Sequence, residues 1–208
     1  MTAMLDPLRE WVGQGRWWAR GVRERYLLDY VFIHINKTAG SSIARALGLT
    51  GEHKTALQKK RELGERVWTE RFSFTVVRNP WDKVVSHYSY RVRTNQTGLG
   101  VEPLPFAEWV RLAYRDRDPR YCDDPRMFMP QWEWIADESG QMMVDFVGRF
   151  ECLEEDFARI SERICKHASL PHVKKSDRGG YRDYYDAGTR SIVADVFRED
   201  VERFGYAF

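Results

Sequence analysis

Two stretches of the chain carry residues suited to holding and polarising an anion. The first is HINKTAGSSI, His34–Ile43, which reads as a strand running through a turn into a helix. A helix start offers unpaired backbone N–H groups and the positive end of the helix dipole. Gly40 lets the backbone approach an anion closely, Thr38, Ser41 and Ser42 supply hydroxyls, and Lys37 supplies an ammonium. The order is not that of an ATP-binding G-x-x-x-x-G-K-[ST] loop, where the lysine follows the second glycine. Here Lys37 precedes Gly40. Taken alone, the loop is equally well read as an ordinary strand–turn–helix with an exposed lysine.

The second stretch is RNPWDKVVSHYSYR, Arg78–Arg91. Arg78 falls at the carboxyl end of an apolar strand, where open α/β sheets bind their ligands. Ser86 lies two turns into the following helix, on the face shared by Asn79, Asp82 and Lys83. Arg78 and Ser86 together can clasp a second phosphate; Arg78 by itself reads as a surface ion pair. There is no clustered Asp, His or Cys set of metal-ligand spacing, so no metal is expected.

The remaining candidates serve an acceptor or a proton transfer. Histidine is matched to proton transfer near neutral pH, and five are present. His34 sits within a strand and reads as buried, His87 points to a neighbouring helix face, and His167 ends an amphipathic helix. His172 lies in a late basic loop, His172–Tyr185, with Lys174, Lys175, Ser176, Arg178 and Arg182. His53, in GEHKTAL, follows the helix that begins at the anion loop and reads either as a base or as a cap of the next helix. The segment RDRDPRYCDDPRMFMPQWEWI, Arg115–Ile135, offers Arg120, Arg126, Gln131, Trp132 and Trp134. Aromatics stack on sugar faces and arginines pair with acidic groups, although the tryptophans also serve as plain core.

The elements that must position these groups follow from hydrophobic pattern. Tyr30–Ile35 and Phe72–Val77 are continuous apolar runs suited to a parallel sheet covered on both faces. MMVDFVGRF adds a third strand. Helical patterns run over Ser41–Leu47, closed by Gly48, and Thr55–Leu63, closed by Gly64. Asn79 as N-cap and Pro80 at the first helical position open another helix, with Asp82 complementing its dipole. A helix from Phe106 to about Tyr114, one through Leu153, Phe157, Ile160 and Ile164, and a single last helix from about Thr189 to Phe204 complete the set. The expected class is α/β, with a central parallel sheet flanked by helices.

Composition sets the outer bounds. The chain has 208 residues, 43% hydrophobic and 31% charged, which favours one large domain. A net charge of +2 and a pI near 8.4 are too mild to argue for nucleic acid. Cys122, Cys152 and Cys165 form no disulfide framework and read as buried thiols of a reducing, cytoplasmic protein. No segment approaches the roughly 18 apolar residues of a membrane span. Residues 1–29 read as an N-terminal extension packed on the domain, although Trp11, Trp17 and Trp18 among Arg16, Arg20, Arg23 and Arg25 suit peripheral contact with a membrane surface.

Taken together, HINKTAGSSI and VVRNPWDKVVSHYSYR resemble the sulfotransferases: the first looks like their 5′-phosphosulfate loop, the second like their 3′-phosphate strand and helix. VDFVGRFECLEEDF, LPHVKKS, YRDYYD and VERFGYAF are similar to the bacterial branch related to carbohydrate and glycosaminoglycan sulfotransferases. The resemblance covers Val31–Phe208 and departs from the usual loop at Asn36, where proline is common, and at Ser41, where threonine is. It implies a P-loop-kinase-like three-layer fold over residues 30–208 and the donor 3′-phosphoadenosine 5′-phosphosulfate. It further implies that Asn36, Lys37, Thr38, Ala39, Gly40, Ser41 and Ser42 bind the 5′-phosphosulfate, with Lys37 at the bridging oxygen. Arg78 and Ser86 would hold the 3′-phosphate, and Lys174, Ser176 and Arg182 would fold over the nucleotide. His53, before a T-A pair as in bacterial relatives, is implied as the base for a small-molecule or carbohydrate acceptor; Arg126, Gln131 and Trp132 are expected at that acceptor from their residue types alone. An acceptor that is a non-sugar alcohol or phenol, or a nucleotide-binding module without transfer, remains open at this point; so does the oligomeric state.

Overall fold

The computed structural model describes residues 7–166, 168–170 and 179–208, with the side chains of 7–14 and 16 left aside. In chain order the regular elements are α1 (Pro7–Tyr26), β1 (Tyr30–Ile33), α2 (Gly40–Leu47), α3 (Ala56–Leu63), α4 (Glu65–Glu70) and β2 (Phe72–Val77). Then follow α5 (Pro80–Arg93), α6 (Phe106–Val110), α7 (Gln131–Ile135), β3 (Phe146–Arg149), α8 (Leu153–Arg163), α9 (Ala187–Val196) and α10 (Arg198–Phe204). The three strands form one parallel sheet in the order β1-β2-β3, with Ile33 opposite Thr75 and Val77 opposite Arg149.

Both faces of the sheet are buried, which explains why the strands are continuous apolar runs rather than alternating ones. Tyr30, Phe32, Phe74 and Val76 pack on Ile43 and Leu47 of α2 and on Phe157 and Ile160 of α8. Val31, Ile33 and Val77, on the opposite face, meet Trp134 and Ile135 of α7 and Phe204 of α10. A third cluster joins Trp81, Val84 and Val85 of α5 to Trp109 of α6 and to Val193 and Phe197 at α9. It builds a helical lobe beside the strand ends.

Several elements differ from expectation. β1 ends at Ile33, and the third strand keeps only Phe146–Arg149. The α6 helix ends at Val110 and the chain continues through a wider π turn, Arg111–Arg115. Gln131–Ile135 is helical inside what reads as an irregular loop. The single C-terminal helix is instead two, because the chain turns at Phe197 (φ −105°, ψ 29°). That turn brings the fully buried Asp200 to the amino end of α7, where it accepts from the N–H groups of Gln131 at 2.9 Å and Trp132 at 2.8 Å. Lys83 is not on a polar face: it is 1% exposed, its ammonium 5.2 Å from the centroid of the Phe197 ring. Of the thiols only Cys122 is buried; Cys152 and Cys165 are exposed, and all three are free.

The carboxyl end of α1 is tied down by Arg71, which donates to the carbonyls of Glu24 and Arg25 at 2.8 and 2.9 Å. Trp17 and Trp18 of the same helix are exposed. Among the described residues no helix is long and apolar enough to cross a membrane.

Candidate active site

The loop after β1 and the start of α5 converge on one cleft of about 960 Å³ at the carboxyl ends of β1 and β2. Lys37, Ala39, Gly40 and Ser41 line it from the loop, Arg78, Asp82, Ser86 and Tyr90 from the second stretch, and His53 from the segment before α3. The two candidate anion-binding stretches and the candidate base thus share one space.

The loop is built to present its backbone. Lys37 and Ala39 both adopt left-handed conformations, φ 65° and 66°, which cost non-glycine residues energy and persist where the surroundings impose them. Ala39 stands at the N-cap position of α2 with no side chain able to cap it, so the first turn lacks the usual side-chain acceptor. The Thr38 side chain turns inward and its hydroxyl donates to the Ile35 carbonyl at 3.0 Å. With Thr38 fully buried, that hydroxyl closes the turn rather than facing the cleft. Ser41 is exposed on the cleft, whereas Ser42 is half-buried behind it. Asn36 is buried, and its amide donates to the Met127 carbonyl at 2.9 Å, tying the loop to the segment before α7.

Arg78 is held on every side. Its guanidinium pairs with Asp82 at 2.7 Å, donates to the Lys37 carbonyl at 3.0 Å and lies 3.8 Å from the centroid of the Phe150 ring. Its main chain is clamped by Gln131, which accepts from the Arg78 N–H at 2.9 Å and donates to the Arg78 carbonyl at 2.8 Å. Asn79 caps α5 through its side-chain oxygen, and its own N–H donates to Glu151 at 2.7 Å. The ammonium of Lys37 sits 3.9 Å from the centroid of the Tyr90 ring, on the cleft-facing side of α5.

His53 is half-buried, and its Nδ1 lies 2.9 Å from the His34 carbonyl. A carbonyl only accepts, so Nδ1 carries the proton and the neutral ring keeps its lone pair on Nε2. Burial pushes its pKa below the ordinary imidazole range; the His34 carbonyl and Asp124 work against that shift, while Arg126 and Lys37 add to it. Arg126 also donates to the His53 carbonyl at 3.0 Å. His34 lies beneath, with ring centroids 4.0 Å apart. Burial foremost, with the nearby His53, pushes His34 down to about 4. His87, also on the cleft wall, is buried against Phe128 and Trp109 and bonded to the Tyr114 hydroxyl at 3.1 Å.

Two expected acceptor contacts lie elsewhere. Gln131 is fully buried, its amide used up on Arg78 and Asp200. Trp132 is 9% exposed and covered by the Arg203 guanidinium. Both therefore support the site from behind instead of meeting an acceptor. Arg182 is exposed and lies against the rings of Tyr181 and Phe208, with Tyr181 reaching the cleft edge. Lys174, Ser176 and His172, like His167, fall outside the described residues.

Sequence reasoning missed Tyr90, Phe150 and Asp200. Asp200 had a signal: it interrupts the apolar face made by Phe197, Val201 and Phe204, and a carboxylate there needs buried partners. The partnership of Asp82 with Arg78 was readable from their i,i+4 spacing across the start of α5. Among the described residues no group of three or more His, Cys, Asp or Glu is arranged to hold a metal ion.

Fold and site together define an α/β protein with a cleft lined by cationic and hydroxyl side chains at the ends of parallel strands. The model of the sulfotransferase family matches residues 23–207, and the chain belongs to that family. Its general activity is therefore sulfuryl transfer. An uncharacterized protein of Archaeoglobus fulgidus is 29% identical over 106 residues, which is 50% of this chain and 77% of that protein. No solved structure matches.

Proposed function

We propose that the protein transfers a sulfuryl group from 3′-phosphoadenosine 5′-phosphosulfate to a hydroxyl of a carbohydrate or glycolipid acceptor, with His53 as base. The observation that carries this is the sharing of one cleft by Lys37, Ser41, Arg78, Ser86 and His53. Family membership supports the chemistry, and the presence of both Lys37 and Arg78 on the cleft supports a donor bearing two phosphate groups. On this reading residues 30–208 form the sulfotransferase domain, kinase-like in its three layers, and 1–29 an extension that can touch a membrane surface through Trp17 and Trp18. The free thiols fit a cytoplasmic setting.

The donor, when bound, supplies sulfur already bonded to a phosphate leaving group. The backbone of Asn36–Ser42, with the Ser41 hydroxyl, cradles the 5′-phosphate; Thr38 and Ser42 contribute main chain. Arg78 and Ser86 hold the 3′-phosphate, and Lys174, Ser176 and Arg182 belong to the segment that covers the nucleotide. Nε2 of His53 takes the acceptor's hydroxyl proton as that oxygen bonds to sulfur. The Lys37 ammonium meanwhile offsets charge growing on the departing oxygen, electrostatic stabilisation of the kind worth several kcal/mol in a preorganised site. The strained loop and the clamped Arg78 keep both cations in place beforehand, which is the positioning that in-line transfer of this type depends on. Arg126, bonded to the His53 carbonyl, is the residue we place toward the acceptor.

Calorimetry with adenosine 3′,5′-bisphosphate and with ADP tests the two-phosphate reading: the bisphosphate binds at least tenfold more tightly, and equal affinities overturn it. A screen with radiolabelled sulfate donor then separates sugar from phenol acceptors.

A further inference from the structure

One buried side chain, His34, lies against both the Gly40 turn and the His53 ring. The His34 ring is packed so closely under Gly40 that a Cβ there would fall 1.8 Å from its Cδ2 and 2.2 Å from its Nε2. No real contact is that short, and the ring is not the loose end of a flexible chain. It is 4% exposed, and its Nδ1 donates to the Gly51 carbonyl at 2.7 Å. It also packs against the His53 ring, with ring centroids 4.0 Å apart and planes inclined by 36°. The His34 main-chain carbonyl, in turn, accepts from His53 Nδ1 at 2.9 Å.

We infer that His34 is a positioning residue: its ring is the spacer that sets how far the His53 imidazole stands from the Gly40 turn, and its carbonyl sets which nitrogen of His53 faces the cleft. This rests on the reading of His53 as base and of the Lys37–Ser41 loop as donor site. Gly40 is then required for a reason separate from anion approach. Its missing side chain is the space the His34 ring occupies. Gly40 has no need of a left-handed backbone, since its φ lies outside that range. The same linkage explains why Gly51 lies beside the ring: a Cβ there would come 3.3 Å from the Ala44 Cβ and 3.7 Å from His34 Nδ1. A small residue with φ 73° lets its carbonyl meet that nitrogen.

The inference makes a distinctive claim about a pair of substitutions. Gly40→Ala displaces the His34 ring and through it His53, a residue that position 40 does not reach; misplacement by about 1 Å costs on the order of 100-fold in rate. The three atoms nearest the added methyl all belong to that ring, so removing the ring relieves its closest contacts. The experiment is a double-mutant cycle of Gly40→Ala and His34→Ala on the full chain, with His34→Asn as a milder partner able to donate to Gly51. Histidine side-chain NMR of the ligand-free protein reports the His53 tautomer, its signals identified by their loss in His53→Gln. Affinity for adenosine 3′,5′-bisphosphate and kcat are read in parallel.

Expected are a native His53 protonated on Nδ1, displaced His53 signals in Gly40→Ala, and roughly 10- to 100-fold lower kcat in each single variant. The double variant matches His34→Ala in kcat and bisphosphate affinity, and His34→Asn keeps the Nδ1–H tautomer. Unchanged His53 signals in Gly40→Ala, or losses that multiply in the double variant, overturn the inference, because Gly40 then acts on the anion alone. Should His53→Gln keep native kcat, the base assignment fails, while the NMR arms still decide whether His34 spaces the two rings.

Discussion

The Arg78 guanidinium and the Lys37 main chain are directly joined: Nη1 of Arg78 donates to the Lys37 carbonyl at 3.0 Å. The residue proposed to hold the far phosphate thereby also braces the left-handed turn that carries the Lys37 ammonium. A planar fork can serve Asp82, this carbonyl and the Phe150 face at once, which a lysine ammonium cannot do. Arg78→Lys is expected to weaken adenosine 3′,5′-bisphosphate binding by about tenfold or more, in line with the ~1.5–3 kcal/mol of hydrogen bonds to charged groups. It should lower kcat as well, since the Lys37 turn loses its brace. Calorimetry and steady-state rates check both; a change in affinity alone would place Arg78 outside the Lys37 turn's support.

Lys37→Ala should separate binding from turnover. Because its ammonium is assigned to charge that develops as the bond to sulfur breaks, kcat is expected to fall by about 100-fold or more. Bisphosphate affinity should change by only a few fold. Single-turnover kinetics with the sulfate donor give the first quantity and calorimetry the second. An unimpaired rate removes the leaving-group role.

The pH profile follows from the environment of His53. Burial lowers its pKa, so the ring stays neutral and able to accept a proton at pH values where an exposed histidine is already charged. The acid limb of kcat/KM should therefore have its midpoint below 6.5, and His53→Ala should abolish that limb together with most of the rate. A midpoint at or above 6.5 contradicts the assignment.

Stability should fall on the acid side for a related reason. Folding depresses His34 to about 4 and holds His87 well below its ordinary value, mainly by burial in both cases. Both bind protons more readily unfolded than folded, so their contribution is complete above pH 6.5 and is lost as pH falls below it, for His34 through about 4. Each such histidine adds a slope of at most about 1.4 kcal/mol per pH unit. Urea unfolding at pH 7 and pH 5 should show a smaller acid loss in His34→Asn than in the native chain; equal losses would mean that His34 is not buried neutral.

Gln131 offers a test of the support behind the site. It serves both main-chain groups of Arg78 and is itself held by Asp200. Gln131→Leu leaves an N–H, a carbonyl and a buried carboxylate short of partners, at ~1–3 kcal/mol for each orphaned group. Chemical denaturation should register a loss of several kcal/mol, with looser bisphosphate binding. A stable variant with native affinity would show the clamp to be dispensable.

Much of the architecture was legible because it depends on local pattern. The apolar runs at Tyr30 and Phe72 dictate buried parallel strands, Gly48 stops α2, and Asn79–Pro80 starts α5. The order Lys37-Thr38-Ala39-Gly40 followed by Arg78 and Ser86 led to the expectation of two anion positions, and the structure brings Lys37, Arg78 and Ser86 to one cleft. Solvation was less legible, because it is a property of the whole packing. A lysine on helix α5 looks solvated until α9 and Phe197 cover it, and Gln131 looks like an acceptor contact until Asp200 arrives from 69 residues away. The break at Phe197 that delivers Asp200 has no glycine or proline to announce it. The sequence by itself determined which strands are buried and which polar residues follow their carboxyl ends, since period and turn chemistry act over a few residues. Only the tertiary structure decided that the His34 ring packs against His53 and that Gln131 clamps Arg78, because those contacts join segments whose separation along the chain carries no local signal.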